Sequence, residues 1–366
     1  MPASLIPALD PAALPGPPWL FHVLWVITFL IHLVFVNMVM GGSVLAALVG
    51  RNRPGARDIQ SFFVEVNGWA ISFAITFGIA PLLFMQVLFG RFFYTATILV
   101  AWWWLGMLLI LTLGYYLNYI AKARLKAGKS VRLILIVEAV CFLKIAGIQV
   151  AINVLHLQPG RWESVAQQTW AALLDPTFAP RMLHFVFAAV AMAGAVLAFV
   201  ATRRAATTDD REACLGMARF GLRAAFVASA LELADGFWLL LALPRDVLTA
   251  FMRGGAATMI PLTVGILLGV LLLVVLSRIT EPLTQTKDVR RVAELLIGTV
   301  VFMVLTRHQL RGIYLAPWRS DEQVNVATQW GPLALFLVVF VLCVGLTIYA
   351  ILRAVKDKPG PGEAAA

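Results

Sequence analysis

The sequence predicts an all-α membrane protein, a polytopic bundle of about nine transmembrane helices. Of the 366 residues, 61% are hydrophobic and only 13% are charged, whereas about 25% of residues are charged in a globular protein. The apolar residues form long runs, and a helix needs about 20 of them to cross a bilayer. Nine such runs are bounded by charges, Pro or Gly: 19–49, 60–90, 95–121, 132–156, 181–202, 222–243, 257–277, 291–306 and 331–353.

Three regions make up the predicted domain organisation. Residues 1–18 form an N-terminal tail that lacks the basic residues of a secretory signal peptide, and 19–355 form the bundle. The tail 356–366, which contains KPGPGEAAA, is typical of a disordered linker.

The basic residues predict the orientation of the bundle. Net charge is +10, but the Lys and Arg residues fall in short loops without a basic, aromatic-interleaved stripe, so nucleic acid is not a predicted partner. Twenty of them lie in alternate loops and the C-terminal tail, against eight on the opposite side. By the positive-inside rule, the N-terminus is outside and the C-terminus inside.

The first span contains two histidines, His22 and His32, ten residues apart. On a helix this spacing is roughly 15 Å along the axis, so the two cannot bind one metal together. Ionisable groups within a membrane are candidates for functional sites, and histidine is a common axial ligand of haem iron. His32 is deep in the span and is the candidate ligand; His22 is either a ligand or a boundary histidine.

Four histidines, His22, His156, His184 and His308, lie at the outer ends of predicted spans, and arginines share that side. A guanidinium fork suits carboxylates, so this level is a predicted setting for haem propionates. The arginines expected to balance them are Arg91, Arg181, Arg307 and Arg311.

Ionisable residues also interrupt the fourth and sixth spans. Glu138 and Lys144 are six residues apart, which does not place them on one helix face. Glu232 and Asp235 are the predicted partners of Lys144. These four residues form either a buried structural ion network or a proton or quinone site.

The three cysteines, Cys141, Cys214 and Cys343, lie far apart, and the chain has no CxxCH motif. This spacing predicts neither a covalently attached c-type haem nor a disulfide framework.

Several segments resemble subunit I of the cytochrome bd quinol oxidases. IHLVFVNMVMGGSVLAAL resembles the family's FHFLFVPLTLGLSFL segment, and LFMQVLFGRFFY and QVAINVLHLQPGRW resemble its EFQFGTNW and WILIANGWMQNP regions. LLDPTFAPRMLHFVFAAVAMAGA resembles NPxxxxKFxHTxxxGxxxGA. The resemblance implies that His32 lies in the oxygen-side haem pocket and that His184 binds the low-spin haem b.

The chain also departs from that family. Only PRDVLTAFMRGGAA stands where the family has its long quinol-binding loop, and the third span lacks acidic residues. The family's methionine ligand corresponds to Thr263, with Met259 one turn earlier as a substitute. Its glutamate ligand corresponds to Val304, with His308 nearby.

The resemblance predicts a bacterial inner-membrane electron-transfer subunit with one or two haems b. It would pass electrons from membrane quinol, or from a quinol-oxidising partner, to a periplasmic cytochrome c. Three alternatives are a quinol-dependent oxygen reductase, a haem-free anchor of a respiratory complex and a small-molecule transporter.

Overall fold

A computed structural model of the chain describes residues 6–8, 12–50, 53–319 and 325–356. The described residues are helical apart from short connections, with no strand beyond an isolated bridge between Leu14 and Val326. This confirms the predicted all-α fold. The helices are α1 Pro18–Leu48, α2 Ala56–Leu99, α3 Ala101–Lys126, α4 Arg132–Leu157, α5 Trp162–Gln167, α6 Phe178–Arg204, α7 Arg211–Ala242, α8 Arg245–Arg253, α9 Ala256–Arg278, α10 Thr286–Leu315 and α11 Trp330–Lys356.

Eight helices in the described part of the chain are long and apolar enough to cross a membrane: α1, α2, α3, α4, α6, α7, α9 and α11. The predicted eighth span, 291–306, lies within α10, which is not among these eight helices. Glu294 and Arg307 bound an uncharged stretch of only 12 residues in this helix. The eight apolar helices make the lipid bilayer a partner of the chain. Whether α10 crosses the membrane, and on which side of the membrane each terminus lies, stay predictions.

The chain divides into two compact units. The first comprises Met1–Ala8 and Val23–Asp321, and the second Leu9–His22 and Glu322–Ala366. Within the second, the backbone of Leu14 pairs with Asn325 and Ala327. Of the predicted C-terminal tail, 357–366 lies outside the described residues.

Small residues line the most extensive helix contact of the first unit, between α6 and α7. A Cβ atom on Gly194 would lie 2.6 Å from the Gly221 carbonyl oxygen, and one on Gly221 would lie 2.4 Å from the Gly194 oxygen. Buried alanines such as Ala198 and Ala225 flank this crossing. Membrane helices associate closely through such residues because the backbones can then approach each other. Gly41 of α1 similarly meets the backbone of Ala189.

The second helix is longer than the predicted span 60–90. It continues to Leu99 and includes Pro81, and its backbone leaves helical geometry at Phe89, where φ is −139° and ψ is 26°. The break from α3 falls at Val100 rather than in the predicted gap near residue 92. The bend at Phe89 matters for the site described next.

Candidate functional site

Three arginines, Arg181, Arg307 and Arg311, form an arginine cluster in the first unit. Arg307 and Arg311 are four residues apart on α10, and Arg181 lies in the first turn of α6. Their charges act on one another. Each guanidinium carbon lies over an aromatic ring, at centroid distances of 4.2 Å for Arg311 and Trp25, 4.8 Å for Arg307 and Phe29, and 5.8 Å for Arg181 and Tyr314.

The arginine cluster contains donors that lack acceptors. Arg311 is 1% exposed, and its Nε, Nη1 and Nη2 have no hydrogen-bond partner among the described residues. Arg307 Nη1 and Arg181 Nη2 are also without one there. A buried charge that is neither paired nor hydrogen-bonded is costly. The cluster is therefore suited to an anion with several acceptor atoms.

Arg91, the fourth predicted arginine, has a different environment. Its Nη2 donates a hydrogen bond to the Trp318 carbonyl oxygen at 3.1 Å, and its guanidinium lies over the Phe92 ring at 4.9 Å. Arg91 thus supports the turn that follows α10.

A hydrogen-bonded chain in the connection before α6 holds Arg181. Asp175 accepts hydrogen bonds from the Thr177 hydroxyl, from the Thr177 N–H at 2.8 Å and from Arg161. The Thr177 oxygen in turn accepts from Arg181 Nε at 3.1 Å. Burial works to raise the pKa of Asp175, but the hydrogen bonds from Thr177 and the charge of Arg161 outweigh it and hold that pKa below its ordinary value.

His156, at the end of α4, is 1% exposed, and both of its ring nitrogens lack a hydrogen-bond partner within the described chain. Its ring packs edge-on against those of Phe89, Phe92 and Phe93 at centroid distances of 5.8–6.4 Å. Phe89 also lies 5.5 Å from the Arg311 guanidinium. The bend of α2 at Phe89 thus places one ring between the arginine cluster and a buried histidine.

His32 has the hydrogen bonding of a metal ligand. Its Nδ1–H donates to the Ala74 carbonyl oxygen of α2 at 2.9 Å, and because a carbonyl only accepts, the Nδ1–H tautomer is set. A Cβ at Gly78 would lie 2.9 Å from the His32 ring, so a larger residue there would displace the imidazole. The Nε2 lone pair is left for another group. Ligating histidines commonly donate their second N–H to a carbonyl in this way.

His184 lies between two carboxylates of α7. Its Nε2 is 3.1 Å from Glu232 Oε1, and its Nδ1 is 3.2 Å from Asp235 Oδ2. An iron ligand needs one nitrogen without such a partner, so His184 does not fit an axial ligand in this arrangement. Ligation of iron by His184 requires Glu232 or Asp235 to move away.

The four predicted ion-network residues do not form one network. Glu232 and Asp235 contact His184 rather than Lys144, for which the described residues include no ion pair. Glu138 is fully buried and accepts hydrogen bonds from Ser43 at 3.3 Å and from Asn67 at 3.2 Å. The predicted pairing was wrong because α6, which contributes His184, packs more extensively against α7 than any other described helix does.

The other predicted ligands are dispersed. Met259 packs against an apolar cluster that includes Leu262 and Tyr314. His308, which follows the predicted span 291–306, lies within α10 with its ring 5.3 Å from that of Trp25. His22 lies in the second unit.

Haem propionates fit the donors of the arginine cluster, and iron fits His32 Nε2. The described residues include no group of three or more His, Cys, Asp or Glu side chains that could hold a metal ion by themselves. Trp25 and Phe89, which shield the cluster, were not identified from the sequence, because apolar runs are full of aromatic residues with no distinguishing signal. A groove of about 450 Å³ along α9 and α10 is lined by Leu268, Leu271, Val275, Arg291, Glu294 and Leu295 and is not part of this site.

One solved structure, that of the bd oxidase from Geobacillus thermodenitrificans, has a similar fold. The TM-score is 0.65 at 14% sequence identity, and the similarity covers 95% of this chain and 100% of that one. No family model matches the chain, and no curated protein matches its sequence. The polytopic helix bundle described here thus has the fold of a bd oxidase chain.

Proposed function

We propose that this chain is a haem-binding electron-transfer subunit of a respiratory complex in a bacterial inner membrane. It would pass electrons from membrane quinol, or from a quinol-oxidising partner, to a periplasmic cytochrome c. Haem, when bound, supplies reversible one-electron chemistry. The observation that carries the proposal is Arg311, whose three buried guanidinium nitrogens lack an acceptor beside an aromatic wall.

The chain's own residues have separable tasks in this proposal. His32 would hold iron through Nε2. The hydrogen bond from its Nδ1–H to Ala74 fixes the orientation of the ring and would make Nε2 more basic. The arginine cluster binds propionates, and Trp25 and Phe29 exclude water from it. A charge-assisted hydrogen bond is strengthened when water is excluded.

A reduced-minus-oxidised spectrum and a pyridine haemochrome assay of the purified chain test this proposal. We expect a b-type band in the wild type, its weakening or loss in His32→Ala, and roughly tenfold weaker haem retention in Arg311→Met. Thr76→Val is the matched control, because Thr76 lies in α2 near Ala74 but its hydroxyl bonds only to Ser72 of the same helix.

A featureless wild-type spectrum would overturn the proposal and leave a membrane anchor or a transporter. Oxygen consumption with a soluble quinol separates the remaining redox alternatives. Uptake of oxygen that is lost in His32→Ala would identify an oxygen reductase instead of an electron-transfer subunit.

A further inference from the structure

His156 is a buried donor without an acceptor. A histidine side chain carries at least one N–H in either charge state, and leaving that donor unpaired inside a protein costs free energy. The three Phe rings that lie around it carry no oxygen or nitrogen that could accept a hydrogen bond. His156 therefore needs a partner that is not one of the described side chains.

The charged groups that act on His156 are Arg311 and Arg307. His156 and Arg311 lie against the same ring, that of Phe89, with centroid distances of 5.8 Å and 5.5 Å. Arg311 has three unpaired nitrogens and His156 has two. Two elements of the bundle, α4 and α10, thus place unpaired donors against the same aromatic ring.

Three acids of the first unit, Asp175, Glu232 and Asp235, already have partners. Asp175 accepts from Arg161 and Thr177, and Glu232 and Asp235 contact His184. Donors that face aromatic rings suit a ligand with an apolar body and a carboxylate. The planar fork of a guanidinium favours a carboxylate over a neutral carbonyl.

We propose that His156 and Arg311 form one carboxylate subsite, in which a single haem propionate accepts hydrogen bonds from both side chains. This inference rests on the proposed function and gives a binding role to His156, which the sequence placed at the outer level of the bundle without a role of its own. His156 binds the edge of the cofactor and is not its iron ligand. A free oxyanion such as inorganic phosphate could accept the same hydrogen bonds, so the experiment must distinguish it from a haem propionate.

Reconstitution of the full chain in detergent with protohaem or with its dimethyl ester tests the assignment. Because the ester has no propionate charge, we expect the wild type to favour protohaem by at least about tenfold. His156→Phe keeps an aromatic ring and should shrink this preference by about tenfold while leaving the position of the b-type bands unchanged. His156→Gln retains an N–H donor and should keep most of the preference.

The midpoint potential of the bound haem is a second measurement. The reduced haem carries one more negative charge, so the loss of a propionate donor should lower the potential in His156→Phe and much less in His156→Gln. Asn118→Leu, which alters another fully buried polar residue far along α3, controls for general destabilisation.

Each remaining outcome overturns the inference in a recognisable way. An unchanged preference and potential in His156→Phe would remove His156 from the subsite and leave the proposed function intact. Shifted b-type bands would make His156 an iron ligand. If inorganic phosphate stabilises the haem-free wild type but not His156→Phe, and the protohaem preference is absent, then the subsite takes a free oxyanion. A wild type that binds neither haem refutes the proposed function itself.

Discussion

Asp175 supports the arginine cluster through a neighbour. It fixes the Thr177 hydroxyl, which then accepts from Arg181 Nε. Because Asp175 is only 6% exposed, its charge depends on this network. The orientation of Arg181 is therefore tied to the protonation state of a residue that does not touch the cluster.

Asp175→Asn is expected to lower the free energy of unfolding by about 2 kcal/mol at neutral pH, since Arg161 and Thr177 would lose a charged acceptor. The folded pKa of Asp175 is lower than that of the unfolded chain, so its contribution is complete above the unfolded value of about 3.9 and is lost as the pH falls through the folded value. Thermal unfolding measured from pH 7 to pH 3 checks this.

The difference in free energy of unfolding between the wild type and Asp175→Asn should therefore be smaller at pH 3 than at pH 7. Asp288→Asn removes the charge of an exposed pair with Arg291 and should change stability by less than about 0.5 kcal/mol. A gap that is the same at pH 3 as at pH 7 would show that the effect does not come from the carboxylate charge.

Single residues also show where sequence reasoning stops. The arginines of the cluster were predicted from their type and membrane level, and their role as partners of haem propionates stays a prediction. The carboxylate partners of His184 were not predicted. Glu232 and Asp235 are 48 and 51 positions away in the sequence and contact His184 only because two helices pack together. The lack of a hydrogen-bond partner for His156 was not predictable either, because the three Phe rings around it come from another helix, α2.

At the scale of the elements, the crossing of α6 and α7 positions His184 and its carboxylates. Two glycines allow the helix backbones to approach each other there. Apolar periodicity predicted both helices, but it cannot predict which pair of faces will meet.

Gly194→Ala and Gly221→Ala are each expected to destabilise the bundle by about 1–3 kcal/mol, because the new methyl group would overlap a facing carbonyl oxygen. Thermal unfolding in detergent measures the change. Gly106→Ala is the matched control: it also lies inside a helix, α3, but its Cβ would meet nothing within 4 Å. Equal stability of all three variants would mean that the crossing is looser than described.

The extent of α10 was underestimated from the sequence. The predicted span ended at 306 because Arg307 and His308 follow it, yet the helix continues to Leu315. Leu310 and Tyr314 are buried on one face, so the apolar period carries on through a charged segment. The charged residues mark the end of the apolar run, but the helix continues past them because its buried face still packs against neighbouring residues.

At the scale of the whole molecule, the fold class was predictable and the topology is open to a direct test. Among the described residues, eight helices are long and apolar enough to cross a membrane, so α10 decides whether the number of crossings is odd. The distribution of basic residues predicts nine crossings, with an inside C-terminus.

A fluorescent reporter that folds only in the cytoplasm, fused after Arg353, should therefore be active. A phosphatase that works only outside, fused within the 158–177 connection, should be active as well. Exchanging the two reporters between the two positions provides the controls. An inactive C-terminal fluorescent reporter with an active phosphatase at the same position would mean that α10 does not cross the membrane.

The charged residues of α10 also bear on how the protein is made. A segment with Glu294, Arg307 and Arg311 partitions poorly into lipid by itself, since a charge at the centre of a bilayer costs about 3 kcal/mol on insertion scales. The preceding α9 is strongly apolar and lies along it over much of its length. During synthesis α9 and α10 would enter the translocon together as a helical hairpin, in which α9 reduces the contact of the charged residues of α10 with lipid.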